Sequence, residues 1–220
     1  MAVELVIFDM DGLMIDTEPL SKEGWRLALA YYGFEMHEEL FSQLLGRNLT
    51  TARQLMCGYY GPDFDFDAVR EKRTAFVEAH IKEQGISMKK GLLHILDCLD
   101  QMGVKKCIAT STEWEGMENK LGQLGLLSRF DGFVTGDQVK LSKPNPEIFL
   151  KAASLVGIDP VNCIVLEDSP AGVAAAYEAG MRSIVIPDMA QPDQETLGKV
   201  YARCEDLIEA AELIDNLRTV

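Results

Sequence analysis

The feature that most constrains this chain is an alternation. Short β-branched runs, Val3–Phe8 (VELVIF), Val104–Ala109 (VKKCIA), Gly132–Thr135 (GFVT), Val161–Leu166 (VNCIVL) and Met181–Ile186 (MRSIVI), are separated by segments of helical spacing. The helices carry punctuation. Gly91–Met102 stops at Gly103 and Trp114–Leu124 stops at Gly125. Pro146–Val156 opens with Asn145 as N-cap and Pro146 in the first helical position, and Pro170–Ala179 opens after Ser169 and closes at Gly180. Strand and helix in steady exchange predict an α/β fold, with right-handed βαβ units and a parallel sheet covered on both faces.

The interval from about Pro19 to Gln84 breaks that rhythm. It holds no convincing strand, and its apolar residues (Leu20, Trp25, Leu27, Ala28, then Leu40, Leu44, Leu45, then Val69, Phe76, Val77) fall at helical spacing. Gly33, Gly46 and the Gly58–Asp67 stretch divide it into three or four helices. The simplest account is a helical insert after the first strand, over 17–87, with the α/β core formed by 1–16 and 88–220. Gln84–Lys90 is then the return linker, and Leu207–Leu217 reads as a final packing helix.

Composition narrows the function. The net charge of −14 repels nucleic-acid backbones and anionic lipid, so neither is an expected partner. The cysteines Cys57, Cys98, Cys107, Cys163 and Cys204 are odd in number and scattered, which predicts buried free thiols in a reducing compartment rather than disulfides or structural zinc. The N-terminal segment lacks a basic region ahead of its apolar run, and no stretch approaches the ~20 apolar residues that span a bilayer. The expectation is a soluble cytoplasmic protein, a monomer or weak homodimer.

Open parallel sheets bind ligands at the carboxyl ends of their strands, and this chain gathers polar residues there. The first strand runs into Asp9-Met10-Asp11-Gly12, the second into Thr110-Ser111-Thr112, and the fourth into Glu167-Asp168-Ser169; Lys143 stands in the loop after the third. Singly, each has a plain explanation: turn formers, helix caps, a solvated loop charge. Together, Asp9, Asp11, Glu167 and Asp168 at one sheet edge repel unless a cation sits among them. Hard oxygen ligands without His or Cys suit Mg²⁺. Of two carboxylates one residue apart, one can attack phosphorus and the other can handle the leaving-group proton. Lys143, the Thr110 hydroxyl and the Ser111 N–H then fit a phosphoryl group at a helix start.

These residues resemble the haloacid dehalogenase superfamily, in particular its β-phosphoglucomutase-like branch of sugar phosphatases and mutases. The motifs Phe8–Gly12 (FDMDG), Ile108–Ser111 (IATS), Ser142–Phe149 (SKPNPEIF) and Leu166–Gly172 (LEDSPAG) occur in the family's order, and Asp16-Thr17-Glu18 resembles the branch with a small α-helical cap. The resemblance implies a Rossmann-like core with an inserted cap and Mg²⁺ as cofactor. Asp9 is then nucleophile and metal ligand, and Asp11 is general acid/base with its carbonyl on the metal. Thr110, Ser111 and Lys143 bind phosphate, and Asp168 and Glu167 complete the metal site. Asp11 argues for phosphate esters, because the dehalogenase and phosphonate-cleaving members lack an acid there.

Departures bear on the subclass. Ser21 stands where the mutases carry a cap His, and Leu49 where they carry an Arg, with Arg47 two residues earlier; Lys72 aligns with their cap lysine. The expectation is therefore a phosphatase for a small phosphorylated metabolite, a sugar phosphate, with a phosphosugar mutase as the alternative and a non-catalytic phospho-ligand module as the second. No catalytic carboxylate is lost, which weighs against the module. Arg47, Asn48 and Lys72 are the candidate substrate contacts from the cap, with a surface salt bridge as Arg47's plainer role. His37, His80 and His94 are expected in surface or packing roles.

Overall fold

Both faces of the strand Leu5–Phe8 (β1) are covered, and all its side chains are apolar and buried, as expected for a central parallel strand. The computed structural model describes residues 3–218. From β1 the chain leaves the sheet and forms α1 (Glu18–Tyr31), α2 (Glu38–Leu44), α3 (Leu49–Tyr60) and α4 (Phe66–Gln84). It returns through α5 (Leu92–Met102) to β2 (Lys105–Ala109), α6 (Trp114–Gln123), β3 (Gly132–Val134) and α7 (Glu147–Val156). There follow β4 (Cys163–Glu167), α8 (Pro170–Glu178), β5 (Arg182–Val185), the short α9 (Gln194–Leu197), β6 (Ala202–Arg203) and α10 (Leu207–Arg218).

The strand order is β3-β2-β1-β4-β5-β6, all parallel. The chain builds from β1 outward through β2 and β3, then crosses to β4 on the other side. That reversal opens a crevice at the carboxyl end of β1. Phe8 is level with both Ile108 and Leu166, so Asp9, Thr110 and Glu167 emerge at the same edge.

Alternation along β1 divides the core. Val6 and Phe8 pack with α5, α6 and α10 through Leu96, Leu121 and Ile214, while Leu5 and Ile7 meet Phe149 and Ala152 of α7 and Ala175 of α8. Each such buried side chain contributes roughly 1.5–3 kcal/mol. The helical insert has a separate apolar cluster around Trp25, Leu29, Phe41, Met56 and Phe66. Its two connections run side by side. Ile15 bridges Met88, the Asp16 N–H donates to the Ser87 carbonyl at 2.9 Å, and the Lys89 N–H donates to the Met14 carbonyl at 2.9 Å.

Three local features depart from the sequence expectations. The helix α3 runs through Gly58 and ends before Gly61, whose φ of +91° turns the chain. The helix α7 begins at Glu147 because the Asn145 side chain accepts from the Glu147 N–H at 3.0 Å, leaving Pro146 in the capping position. The strand β6, only Ala202–Arg203, was not foreseen, since two residues carry no period. The cysteines are free, with Cys107, Cys163 and Cys204 buried. No described helix is long and apolar enough to cross a membrane.

Candidate active site

Asp9 is the first residue beyond β1, and its N–H donates to the Leu166 carbonyl of β4 at 3.0 Å. Its carboxylate is buried and meets Lys143 Nζ at 2.6 Å from Oδ1. The same ammonium donates to Glu167 Oε1 at 2.5 Å and to the Ala109 carbonyl at 3.3 Å, so Lys143 ties the ends of β1, β2 and β4 together. Burial works against its charge, but Asp9 and Glu167 outweigh it and hold the Lys143 pKa above the ordinary lysine value. It is a buried cation, not a solvated loop charge.

Ligand oxygens of Asp9, Glu167 and Asp168 lie within 4.8 Å of one another. Burial pushes the Asp9 carboxyl up to about 7, with Glu167 and Asp11 adding to the rise and Lys143 opposing it. Burial and the neighbouring Glu167 and Asp9 also hold Asp168 well above the usual carboxylate range. Three carboxylates against one ammonium leave an excess of negative charge that a hard divalent cation would neutralise. The donor set, oxygen only, fits Mg²⁺. Glu167 is fixed from behind, because Ser169 donates to its Oε2 from N at 2.8 Å and from Oγ at 2.9 Å while capping α8 through Gly172 N–H. Behind Gly12 lies Asp188, salt-bridged by Lys89 at 2.6 Å through Oδ1, with Oδ2 enclosed and unpartnered.

The Asp11 carboxylate belongs to a second constellation. Its Oδ1 accepts from Thr17 Oγ1 at 2.5 Å and Lys120 Nζ at 2.6 Å, and its Oδ2 accepts from Thr112 Oγ1 at 2.7 Å. Burial opposes its ionisation, but Lys120, Thr17 and Thr112 prevail and hold the carboxyl below its ordinary value. The chain reaches this position by a turn at Gly12, whose φ of +86° favours glycine. Glu18 is sunk beside the group, and burial together with Asp11 pushes its carboxyl up to about 8.

Thr110 is buried at the end of β2 with its Oγ1 accepting from the Thr112 N–H at 3.1 Å, and Ser111 Oγ donates to the Gly46 carbonyl at 2.7 Å. The cap loop thus docks on the core. Beside Gly46, Arg47 donates to the Lys143 carbonyl, and the Asn48 N–H donates to Ser142 Oγ at 3.0 Å while its side chain caps α3. Gly46 has a φ of +70°, and a side chain there would meet Ser169 Oγ. Lys72 is not brought to this cluster. It stands on the exposed side of α4, its Nζ 3.6 Å from the centre of the Tyr31 ring. The next residue, Arg73, faces inward and donates to Ser21 Oγ at 2.6 Å. Helical geometry turns neighbours by about 100°, which explains the exchange. His37, His80 and His94 are exposed.

Sequence reasoning thus missed Thr17, Glu18, Arg73, Thr112, Lys120 and Asp188. Asp16-Thr17-Glu18 and Thr110-Ser111-Thr112 were visible as motifs, but nothing local to Lys120 in α6 or Asp188 after β5 signals a place at the site.

Comparison with known proteins adds independent findings. Residues 6–186 match the family described as haloacid dehalogenase-like hydrolase. The chain is 32% identical over 181 residues to fructose-1-phosphate phosphatase YqaB of Escherichia coli (strain K12), covering 81% of this chain and 94% of that one. It is 34% identical over 189 residues to a phosphorylated carbohydrates phosphatase of Thermotoga maritima, covering 83% and 84%. Among solved structures it resembles a beta-phosphoglucomutase from Clostridium difficile with a TM-score of 0.81 and 23% identity over 100% of both chains, a likeness of fold alone.

Proposed function

The chain belongs to the haloacid dehalogenase-like hydrolases, and from that premise we propose that it is a Mg²⁺-dependent phosphatase of sugar phosphates. The observation that carries this reading is the separation of two carboxylates, Asp9 beside Lys143, Glu167 and Asp168, and Asp11 beside Lys120, Thr17 and Thr112. Environments that differ so much suit a nucleophile and a proton carrier. The sugar class is favoured by relatives that act on phosphorylated carbohydrates.

In the first half-reaction an Asp9 oxygen bonds to phosphorus as the ester P–O bond breaks, and Asp11, which takes up a proton as the substrate binds, gives it to the departing alkoxide. In the second, Asp11 takes a proton from water as the water oxygen bonds to phosphorus, releasing phosphate and regenerating Asp9. Held below its ordinary value beside Lys120, Asp11 releases its proton readily in the first half-reaction and is ionised, and so able to accept one, in the second. Lys143 and the Thr110–Ser111 turn hold the phosphoryl oxygens. Asp9, Asp168 and Glu167, with the Asp11 carbonyl, would hold Mg²⁺, which when bound offsets negative charge on the phosphoryl group. The loop 46–48, docked on Ser111 and Ser142, covers the phosphate-binding side of the site and restricts bulk water there.

The test is inorganic phosphate release with Mg²⁺ from a panel of sugar and nucleotide monophosphates, with Asp9→Asn as control. Release that depends on Asp9 is expected, with sugar phosphates leading. Conversion of β-glucose 1-phosphate to glucose 6-phosphate, without phosphate release, would replace the reading with a mutase.

A further inference from the structure

Behind the first motif, one carboxylate oxygen is enclosed with nothing to accept from. Asp188 follows β5, and its Oδ1 takes Lys89 Nζ at 2.6 Å, whereas its Oδ2 is shut off from solvent and receives no hydrogen bond. An acceptor buried in this way costs free energy unless a donor reaches it. The side chain is only 13% exposed, so bulk water does not supply one.

The surroundings say where that donor stands. A Cβ added to Gly12 would lie 3.3 Å from Asp188 Oδ2 and 2.4 Å from Asp168 Oδ2, so both oxygens converge on the open side of one glycine. Two ionised oxygens there repel each other. Asp188 is nevertheless held in place from behind. Lys89 also reaches Asp16 at 3.1 Å, and its N–H donates to the Met14 carbonyl at 2.9 Å. Oδ2 cannot turn elsewhere for a donor without breaking the ion pair at Oδ1.

Asp188 is outside the group Asp9, Glu167 and Asp168, whose ligand oxygens all lie within 4.8 Å of one another. It is placed to meet what a cation in that group carries, rather than the cation itself. Mg²⁺ dehydrates reluctantly and keeps several waters, each of them a hydrogen-bond donor. We propose that Asp188 is a positioning residue of the metal centre, its Oδ2 accepting from a water on the Mg²⁺ held by Asp168. This rests on the Mg²⁺ reading above. Lys89 aims the carboxylate by fixing its other oxygen, in the way that outer partners orient the groups around a metal.

The experiment titrates Mg²⁺ calorimetrically into wild type, Asp188→Asn and Asp16→Asn, with thermal melts in chelator alongside. Asp188→Asn keeps the shape of the side chain. Lys89 retains the amide oxygen, however, so the NH₂ group is turned toward Gly12, a donor where an acceptor is needed. Mg²⁺ binding is expected to weaken roughly 10- to 100-fold. The melting temperature in chelator is expected to hold, because the amide can donate to Asp168. Asp16→Asn removes the same charge from the same lysine at a side chain 44% exposed, and a change under about 5-fold is expected there. Unaltered Mg²⁺ affinity in Asp188→Asn would overturn the proposal. Equal losses in the two variants would also overturn it, by reducing Asp188 to its charge. Where Asp188→Asn does not give a folded protein, Asp188→Ala decides by the same comparison. A wild type that takes up no Mg²⁺ strikes the metal reading together with this proposal, whereas Mg²⁺ bound equally by wild type and variant strikes the proposal alone.

Discussion

Lys120 Nζ lies 2.6 Å from Asp11 Oδ1 across a sequence separation of 109 residues, joining α6 to the carboxylate proposed as the proton carrier. Both side chains are largely buried, at 16% and 18% exposure, so solvent screens the pair little. The contact makes α6 part of the site, although its sequence reads as an ordinary surface helix.

Replacing Lys120 by Met removes the main influence holding Asp11 ionised, so its pKa is expected to rise. The acid limb of the kcat profile, where breakdown of the phosphoenzyme loses its ionised Asp11, should move to higher pH. Removing a buried partner of this kind costs roughly 10- to 100-fold, read in kcat, while kcat/KM, which ends at departure of the alcohol, changes less. An acid limb that stays in place would dissociate Lys120 from the proton step.

Stability of the metal-free protein is expected to fall as pH rises from 5 to 8. Asp9 near 7, Glu18 near 8 and the raised Asp168 all bind protons more tightly when folded than when unfolded. In that window the folded state retains protons that the unfolded chain has released, so the stability they confer is lost as pH climbs through the folded values. Asp11 acts oppositely, and its contribution fades only below its ordinary carboxylate range. Thermal melts in chelator across pH 5–8 check the slope, and Mg²⁺ should raise the melting temperature most at pH 8. A melting temperature that climbs with pH would contradict the burial of these carboxyls.

The sheet was legible because parallel strands buried on both faces need β-branched runs, and Leu5–Phe8 and Cys163–Glu167 supply them. The carboxylates at their ends were legible for the same reason, as polar residues just beyond apolar strands. Lys143 was legible only in company, because a lysine before proline carries no sign of burial until Asp9 and Glu167 are known to face it. Lys120 and Arg73 were hidden, since which side of a helix meets the cleft is set by packing between elements. Lys72 shows the cost of ignoring that, one residue from Arg73 and turned about 100° away from it.

Ser169→Ala removes a hydroxyl that both caps α8 and donates to Glu167 Oε2. Loss of a helix cap costs about 1–2 kcal/mol, and Glu167 Oε2, left with the Ser169 N–H as its donor, adds to it. Thermal denaturation is expected to show a drop of that size in metal-free protein. Calorimetric titration should also show weaker Mg²⁺ binding, because Glu167 loses one of the donors that orient it. A stability loss with unchanged Mg²⁺ affinity would confine Ser169 to the cap.

Gly12→Ala tests how tightly the first motif is fitted to the carboxylates proposed to hold Mg²⁺. At a φ of +86° a Cβ is strained, which costs about 1–2 kcal/mol by itself. The added atom would also lie 2.4 Å from Asp168 Oδ2 and 3.3 Å from Asp188 Oδ2. Asp188 is tethered by Lys89, which also reaches Asp16 at the mouth of the cap, so the loop has little room to yield. Asp168 must therefore move, and it is the carboxylate whose displacement most affects the cluster with Asp9 and Glu167. The expected result is weaker Mg²⁺ binding by calorimetry together with a loss of phosphate release that excess Mg²⁺ restores in part. Full Mg²⁺ affinity in a folded Gly12→Ala protein would show that Asp168 is not held against this glycine and that the cluster tolerates a looser first turn.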